Sequence, residues 1–463
     1  MKADRIEIEP FHELVITDYR GSSGVNRHGE ARITGTVPIE KVNEYMNRVK
    51  DRTLVKVSAA ELDGDRQILI YGFLTDWGIK REGDVAVMDL LVKTGTYQME
   101  LAVHTRTFQD ADTTFSDVLR VCNKSYSDSD VILTKGKGQK IPEFIVQYQE
   151  SDWQFIKRLA SYLNTVVVPD LKTGGVKYYF GYPRFETGEM TEISSWQVRR
   201  DLEEYEQMRD HGIPVSEEEC NCYMVSGREI YGVGNRVRFM GKELLVQRVE
   251  TGMKGGELYH TYYMRPEHGL YVWREYNQRM AGAGLSGRVT AVEGDQVQIS
   301  LEKDENRKNA GHKWFAFSTV YSSPDGTGWY CMPEVGDTVR LSFPSEQPME
   351  GYVSSAVHEY SRERTCPEIK FLKNRFGKEI YLAPDRIMLT DNDGTSIEIS
   401  DRKGISMKSA GSITLRAKGR VQITSRKARV QLQAVNGIRL QQKDSAVNIK
   451  DDITFEGMHV KLH

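Results

Sequence analysis

The sequence has few cysteines and no long apolar run. It holds five cysteines in 463 residues, and the C-x-C at 220–222 has no second pair, so neither a zinc site nor a disulfide framework is indicated. No run approaches the roughly 18 apolar residues of a membrane-spanning helix. Residues 6–8 alternate apolar and charged side chains where a secretory signal would have its apolar core. We therefore expect synthesis in a reducing cytoplasm, without a signal peptide.

Motifs that would indicate catalysis are missing as well. Residues 282–287 match the dinucleotide-binding fingerprint by letter, but a helix is predicted before them and a strand after them. A helix N-terminus that holds a pyrophosphate needs the reverse order, so we interpret the segment as an interdomain linker. His12-Glu13 lacks the second histidine of a zinc protease, and Gly377-Lys378 lacks the upstream glycine of a phosphate-binding loop. The sequence predicts no enzyme, no catalytic residue and no bound cofactor.

Charge is balanced overall but not locally. The formal net charge is −3, yet residues 401–443 hold eleven basic side chains and a single acid, Asp401. Lysine and arginine on the outer face of a β structure discourage edge-to-edge aggregation, which is the simpler interpretation. The alternative is attraction to an anionic surface or to nucleic acid, although we expect no nucleic-acid partner. The basic residues are Arg402, Lys403, Lys408, Arg416, Lys418, Arg420, Arg426, Lys427, Arg429, Arg439 and Lys443.

A short unit repeats from Ile397 to Leu462: an apolar residue, a polar residue, an apolar residue and a polar gap. Nine such units start 8, 8, 8, 9, 8, 9, 6 and 7 residues apart. This step indicates a repeat architecture, and the alternation within each unit is that of a half-buried strand. Two apolar side chains in about eight residues cannot close a core within one chain. We therefore predict an intertwined, three-chain β-prism; an amphipathic strand array in an ordinary sheet would not explain the step.

The repeat also predicts which side chains face the trimer axis and which lie at the tip. The predicted trimer core consists of Ile397, Ile399, Ile405, Met407, Ile413, Leu415, Val421, Ile423, Val430, Leu432, Ile438, Leu440, Val447 and Ile449. The last two units break the step, so the prism should end there and leave an apolar patch for a partner. That patch comprises Phe455, Met458, Val460 and Leu462.

Two histidines near the end of the sequence offer a different tip. His459 and His463 are four residues apart and would share one face of a strand. In a trimer they could supply six imidazoles to a metal ion. The simpler interpretation is two exposed histidines without metal.

The rest of the chain predicts a mainly β protein with some α+β structure, in three or four domains. Residues 1–100 alternate in short stretches typical of a small antiparallel barrel. Helices are predicted over 115–122, after Ser151 with Gln154 at the capping-box spacing, and over 272–280. About 75 residues of strand from 288 onward are the size of an OB-like barrel.

Three stretches, taken in order, resemble one family. Residues 328–351, with Gly328-Trp329 and the run 333–339, resemble the OB segment of valine-glycine-repeat (VgrG) spike proteins and their phage tail-spike relatives. Residues 144–155 look like the hub stretch of that family, an aromatic-rich strand followed by Glu-Ser-Asp and a helix. The repeats after residue 380 are similar to its triple-stranded spike. The resemblance covers essentially the whole chain.

The resemblance implies a homotrimeric spike in five parts. These are a first hub barrel (1–100), an α+β insertion (101–221), a second hub barrel and connector (222–281), an OB-fold neck (282–365) and a β-helical spike (366–463). The hub would dock on a hexameric inner-tube protein and contact baseplate components, and the needle would carry a PAAR-type tip protein and possible effectors. Family tips that bind iron use a tighter His-x-His than His459 and His463, so the metal tip is a poor match.

The family leaves the machine itself open. The spike could serve a phage, a tailocin, an extracellular injector or a type VI system, assembled into a phage-tail-like particle and delivered to the target cell surface. The alternative function is a trimeric receptor- or glycan-binding tail fibre with a basic shaft. The hub-like 270 residues at the start favour the spike, because fibres usually attach through short N-terminal segments.

Overall fold

A computed structural model describes residues 5–60, 66–183, 185–355, 364–456 and 458–459. The chain forms two compact units, Met1–Val357 and His358–His463. Strands dominate both units, and this confirms the predicted fold class. Within the described ranges, no helix is both long and apolar enough to cross a membrane.

Residues 1–100 form an antiparallel sheet in the order β1-β4-β5-β6-β3-β2. Its apolar residues alternate along each strand, so that Ile33, Val57 and Met88 share one buried core. A short helix, α1 (Val42–Arg48), follows the third strand. The strands are β1 (Arg5–Glu9), β2 (Val15–Gly24), β3 (Arg27–Pro38), β4 (Leu54–Ala60), β5 (Arg66–Glu82) and β6 (Val85–Thr94).

An α+β segment follows and contains the first two predicted helices. Helix α2 (Phe115–Asn123) begins with a capping box of Thr114 and Asp117, and α3 (Asp152–Ser161) begins with the predicted box of Ser151 and Gln154. Both helices turn an apolar face onto a common core. The strands are β7 (Val103–Phe108), β8 (Ser129–Leu133), β9 (Ile145–Ser151), β10 (Val167–Pro169) and β11 (Val176–Phe180).

The strands after residue 186 continue this sheet, because one of them, β16, pairs with β2 to give a single twelve-stranded sheet. Its first two strands, β12 and β13, fall in the stretch that the sequence assigned to the insertion. Helix α4 (Leu202–Asp210) follows β13. The strands are β12 (Thr187–Glu189), β13 (Ile193–Arg200), β14 (Asn221–Gly227), β15 (Arg236–Phe239), β16 (Lys242–Lys254) and β17 (Glu257–Arg265).

The helix predicted over 272–280 is wrong. The segment has no regular secondary structure except at its end, where Gln278–Met280 forms a 3-10 turn. Its side chains contact other elements: the ring of Trp273 stacks on His211, and the guanidinium of Arg274 lies 4.2 Å from the ring centre of Tyr162. Contacts with the folded protein therefore override the helical pattern.

The OB barrel has five strands in the order β20-β19-β18-β21-β22. The linker interpretation of residues 282–287 is wrong, because Gly284 begins the first strand and Gly287 pairs with both Leu301 and Val339. A Cβ atom at Gly287 would lie 3.0 Å from the carbonyl oxygen of Ser300, so the glycine serves close strand packing. The strands are β18 (Gly284–Glu293), β19 (Gln296–Leu301), β20 (Trp314–Ala316), β21 (Thr338–Ser342) and β22 (Tyr352–Ser355).

The second unit consists of two antiparallel meanders separated by a stretch without strands. The first meander has five strands and includes both predicted early strands, near 380–382 and 387–389. Residues 409–437 are described but form no strand within their own chain. The strands are β23 (Lys370–Lys373), β24 (Glu379–Ala383), β25 (Arg386–Thr390), β26 (Ser396–Ser400), β27 (Gly404–Lys408), β28 (Ile438–Gln442), β29 (Ser445–Ile449) and β30 (Ile453–Glu456).

Candidate assembly interface

The first meander of the second unit carries one continuous apolar face. Directly paired residues of neighbouring antiparallel strands lie on the same face. The register pairs Leu389 with Ile397, Ile397 with Met407, and Ile399 with both Ile387 and Ile405. The first four predicted core residues therefore lie side by side, as the alternation predicts.

This apolar face is more exposed than the polar face behind it. Ile405 is 69% exposed, and Ile397, Ile399 and Met407 are also exposed. The opposite face carries Tyr381, Met388, Glu398 and Ser406, which are all half-buried. A folded monomer buries its apolar side chains, so a single chain leaves this meander without a core.

The stretch without strands also leaves its apolar side chains exposed, and its backbone lacks strand partners as well. Its predicted core residues are all exposed, up to 72% at Leu415. Residues 409–437 also lack a ladder partner for their backbone amide and carbonyl groups, which proteins rarely leave unpaired when buried. Partner strands would satisfy the backbone and the apolar side chains together. The residues are Ile413, Leu415, Val421, Ile423, Val430 and Leu432.

The second meander aligns the remaining predicted core residues with the tip. Ile438 pairs with Ile449, Leu440 pairs with Val447, and Val447 pairs with Phe455. Phe455 thus shares the face of the predicted core and is exposed. Met458 is 94% exposed, and His459 is exposed as well. The other predicted tip residues, Val460, Leu462 and His463, lie outside the described residues.

The first unit contains a joint that the sequence did not indicate. Phe144 and Val146, from the α+β segment, are buried within the core of the OB barrel. The ring of Phe144 meets Phe315 edge-on at 5.3 Å and stacks near Phe343 at 6.5 Å. The OB barrel therefore completes its core with side chains from outside its own segment. In the sequence, only the aromatic-rich composition of residues 144–148 points to this contact.

Hydrogen bonds extend the joint along the edge of β7. Asp304, on the loop after β19, accepts hydrogen bonds from the backbone amide of Thr107 at 3.1 Å and from its hydroxyl. The side-chain amide of Asn306 donates to the Thr107 carbonyl at 2.9 Å. Burial raises the pKa of the Asp304 carboxyl, and the hydrogen bonds that it accepts from Thr107 and Asn306 offset only part of this shift. The loop thus ties the OB barrel to the α+β segment.

A charged network lies beneath this loop. The carboxylate of Asp152 is fully buried, and it accepts hydrogen bonds from Arg106 at 2.5 Å and from the hydroxyl of Tyr126 at 3.0 Å. His104 bridges the network to the loop, because its Nδ1 lies 2.8 Å from Glu305 Oε2 and its Nε2 lies 3.5 Å from Asp152 Oδ2. Loss of one partner of a buried ion pair is strongly destabilising, because it leaves the other charge uncompensated. We interpret the joint as a rigid connection.

The described part of the chain holds no group of three or more His, Cys, Asp or Glu side chains placed to bind a metal ion.

The first unit contains a twelve-stranded sheet and a five-stranded OB barrel, and the second unit is made of amphipathic strands. Residues 285–358 match the family model described as the type VI secretion system/phage-baseplate injector OB domain. No curated protein matches the sequence. The resemblance to VgrG-like spikes that the motifs indicated is confirmed at the level of the fold.

Solved structures extend the likeness over most of the chain. The E. coli c3393 protein, a type VI secretion component with structural similarity to the T4 bacteriophage tail proteins gp27 and gp5, gives a TM-score of 0.54 at 13% identity. That match covers 75% of this chain and 99% of the other. A chain of the lidded Francisella PdpA-VgrG complex gives a TM-score of 0.57 at 10% identity, covering 87% and 80%.

Proposed function

We propose that this protein is the trimeric central spike of a contractile injection system. The observation that carries the proposal is the apolar side of the repeat, in register within each meander, most of which one chain leaves exposed between Ile397 and Ile449. Three identical strips wound together would bury these side chains and pair the backbone of 409–437. The likeness to VgrG-type folds and the injector OB domain supports the same arrangement.

In this proposal each part has a mechanical role. The two barrels of each chain form a ring that caps a hexameric inner tube and contacts baseplate components. The OB barrels form the neck, and the joint at Phe144 and Asp304 transmits the push of the tube to the needle. The needle pierces the target envelope through shape and rigidity, and the protein is not an enzyme. It is made in the cytoplasm, assembled into the particle, and delivered with any effectors to the target.

Imaging of native particles tests this function against that of a tail fibre. Antibody labelling of the second unit should mark one axial position at the end of each particle. Labels at several peripheral positions would contradict the spike and favour a receptor- or glycan-binding fibre. Purified hexameric tube rings should also bind the protein after residues 380–463 are deleted, because the proposal places tube binding in residues 1–270.

At the tip we propose a small cap protein of the PAAR type. Exposed Phe455 and Met458 support it, since an apolar patch of this kind marks a partner site. Metal analysis of the trimer, purified without any partner, separates this proposal from a metal tip. A metal-free trimer that binds a purified PAAR-type protein would support the cap. Stoichiometric metal that is lost in a His459→Ala variant would contradict it.

A further inference from the structure

The second unit carries a band of cations, residues 402–443, which we call the basic band. All eleven of its lysine and arginine side chains are exposed. Among the described residues, none of them forms an ion pair with a carboxylate. The band therefore presents charge that the carboxylates of the described residues do not neutralise.

The two cations of the band that lie in strands are on the face opposite the apolar side chains. Arg439 stands between Ile438 and Leu440 in β28, and Lys408 follows Met407 in β27. Successive side chains of a strand point to opposite faces. The interface that we propose between chains therefore leaves these two cations on the outside of the shaft.

The charge is confined to one part of the shaft. Residues 364–400 hold six basic and six acidic side chains, and residues 444–459 hold four acidic side chains and one lysine. Protection of strand edges does not explain this contrast, because nine of the eleven cations lie outside the strands. Crowding cations of one sign also opposes assembly through repulsion. A concentration of cations that destabilises the assembly indicates an anionic partner.

We propose that the basic band binds the phosphate headgroups of an anionic membrane surface. Six of its cations are arginines, whose planar guanidinium binds phosphate with paired hydrogen bonds. Residues 401–443 contain no aromatic residue, and single-stranded nucleic acids are held largely by stacking on aromatic rings. In β27 and β28 the apolar side chains face away from Lys408 and Arg439, so the band contacts headgroups without inserting. This inference rests on the proposed function, in which the shaft crosses the target envelope.

Flotation with vesicles tests the proposal on the full-length protein. Vesicles of mixed phosphatidylglycerol and phosphatidylcholine should carry the wild type upward at low salt and release it as salt rises. A variant with Arg416→Gln, Lys418→Gln and Arg420→Gln should bind about 100-fold more weakly, because each cation near a charged membrane contributes about fivefold. A matched control with Lys370→Gln, Lys373→Gln and Lys378→Gln should bind like the wild type.

Other outcomes would overturn the proposal. The proposal is wrong if the wild type binds pure phosphatidylcholine vesicles as well as the mixed ones, or binds no vesicle at all. It is also wrong if both variants lose vesicle binding to the same extent. Preferential binding of duplex DNA over vesicles at equal phosphate concentration would identify nucleic acid, and not a membrane, as the partner. Sedimentation of the same samples reports trimer formation separately. A monomer that still floats through the basic band would contradict the trimeric spike and leave the membrane contact supported.

Discussion

Removal of the Phe144 side chain should loosen the OB barrel, although this residue lies more than a hundred positions before it. Phe144 is 4% exposed and packs between Phe315 and Phe343 in the OB core. Truncation of a buried phenylalanine to alanine typically costs about 3–5 kcal/mol. Small domains are stable by only about 5–15 kcal/mol, so this loss is a large fraction of the stability of the barrel. We therefore expect Phe144→Ala to raise the population of locally opened OB barrels.

Amide hydrogen exchange resolved by mass spectrometry measures this effect by segment. A loss of about 3 kcal/mol corresponds to roughly 100-fold faster exchange through opening in strands β19 and β21. Phe185→Ala is the matched control, because Phe185 is 39% exposed and meets Tyr179 at 5.7 Å, away from the OB core. The reasoning is refuted if Phe144→Ala accelerates exchange in α2 and α3 alone and leaves β19 and β21 unchanged.

Three further predictions concern other parts of the molecule. Burial lowers the pKa of His260 to about 4. Between pH 6.5 and 4 the histidine is therefore protonated in the unfolded chain but not in the folded one. The free energy of unfolding should fall by about 3 kcal/mol as pH drops through that window. Denaturant titrations should show this loss for the wild type and for exposed His12→Gln, but a flatter profile for His260→Gln. Limited proteolysis should cut within 317–336, where Val320 is 90% exposed, and spare residues 282–287 in β18. Deletion of 380–463 should leave a folded first unit that self-associates more weakly, as light scattering and circular dichroism would show; an unfolded product would contradict the two-unit organisation.

The elements that the sequence predicted well have local causes. The capping box at Ser151 and Gln154 starts α3 because its hydrogen bonds form within four residues. The alternation near 380–407 fixes which side chains share a face, because the period of a strand is two. Both patterns depend only on residues that are close in sequence, so they can be recognised without knowledge of the fold.

The elements that the sequence missed depend on distant partners. The segment 272–280 does not form the predicted helix because Trp273 and Arg274 contact rings from other elements. The glycine-rich run at 282–287 has the composition of a linker, yet its backbone pairs with Leu301 and Val339 on two sides. The contribution of Phe144 to the OB core joins residues that are far apart in sequence. Composition and spacing do not encode such contacts, so only the folded structure reveals them.

Sedimentation of the full-length protein tests the central claim, that three chains assemble through the apolar face of the repeat. The wild type should sediment as a trimer at micromolar concentration. Ile413→Asp would bury three carboxylates near one axis, at a cost of several kcal/mol each, and should weaken or abolish the trimer. Thr414→Asp places the same charge on the opposite face and should leave it intact. A wild type that sediments as a stable monomer, or two variants that behave alike, would contradict the account.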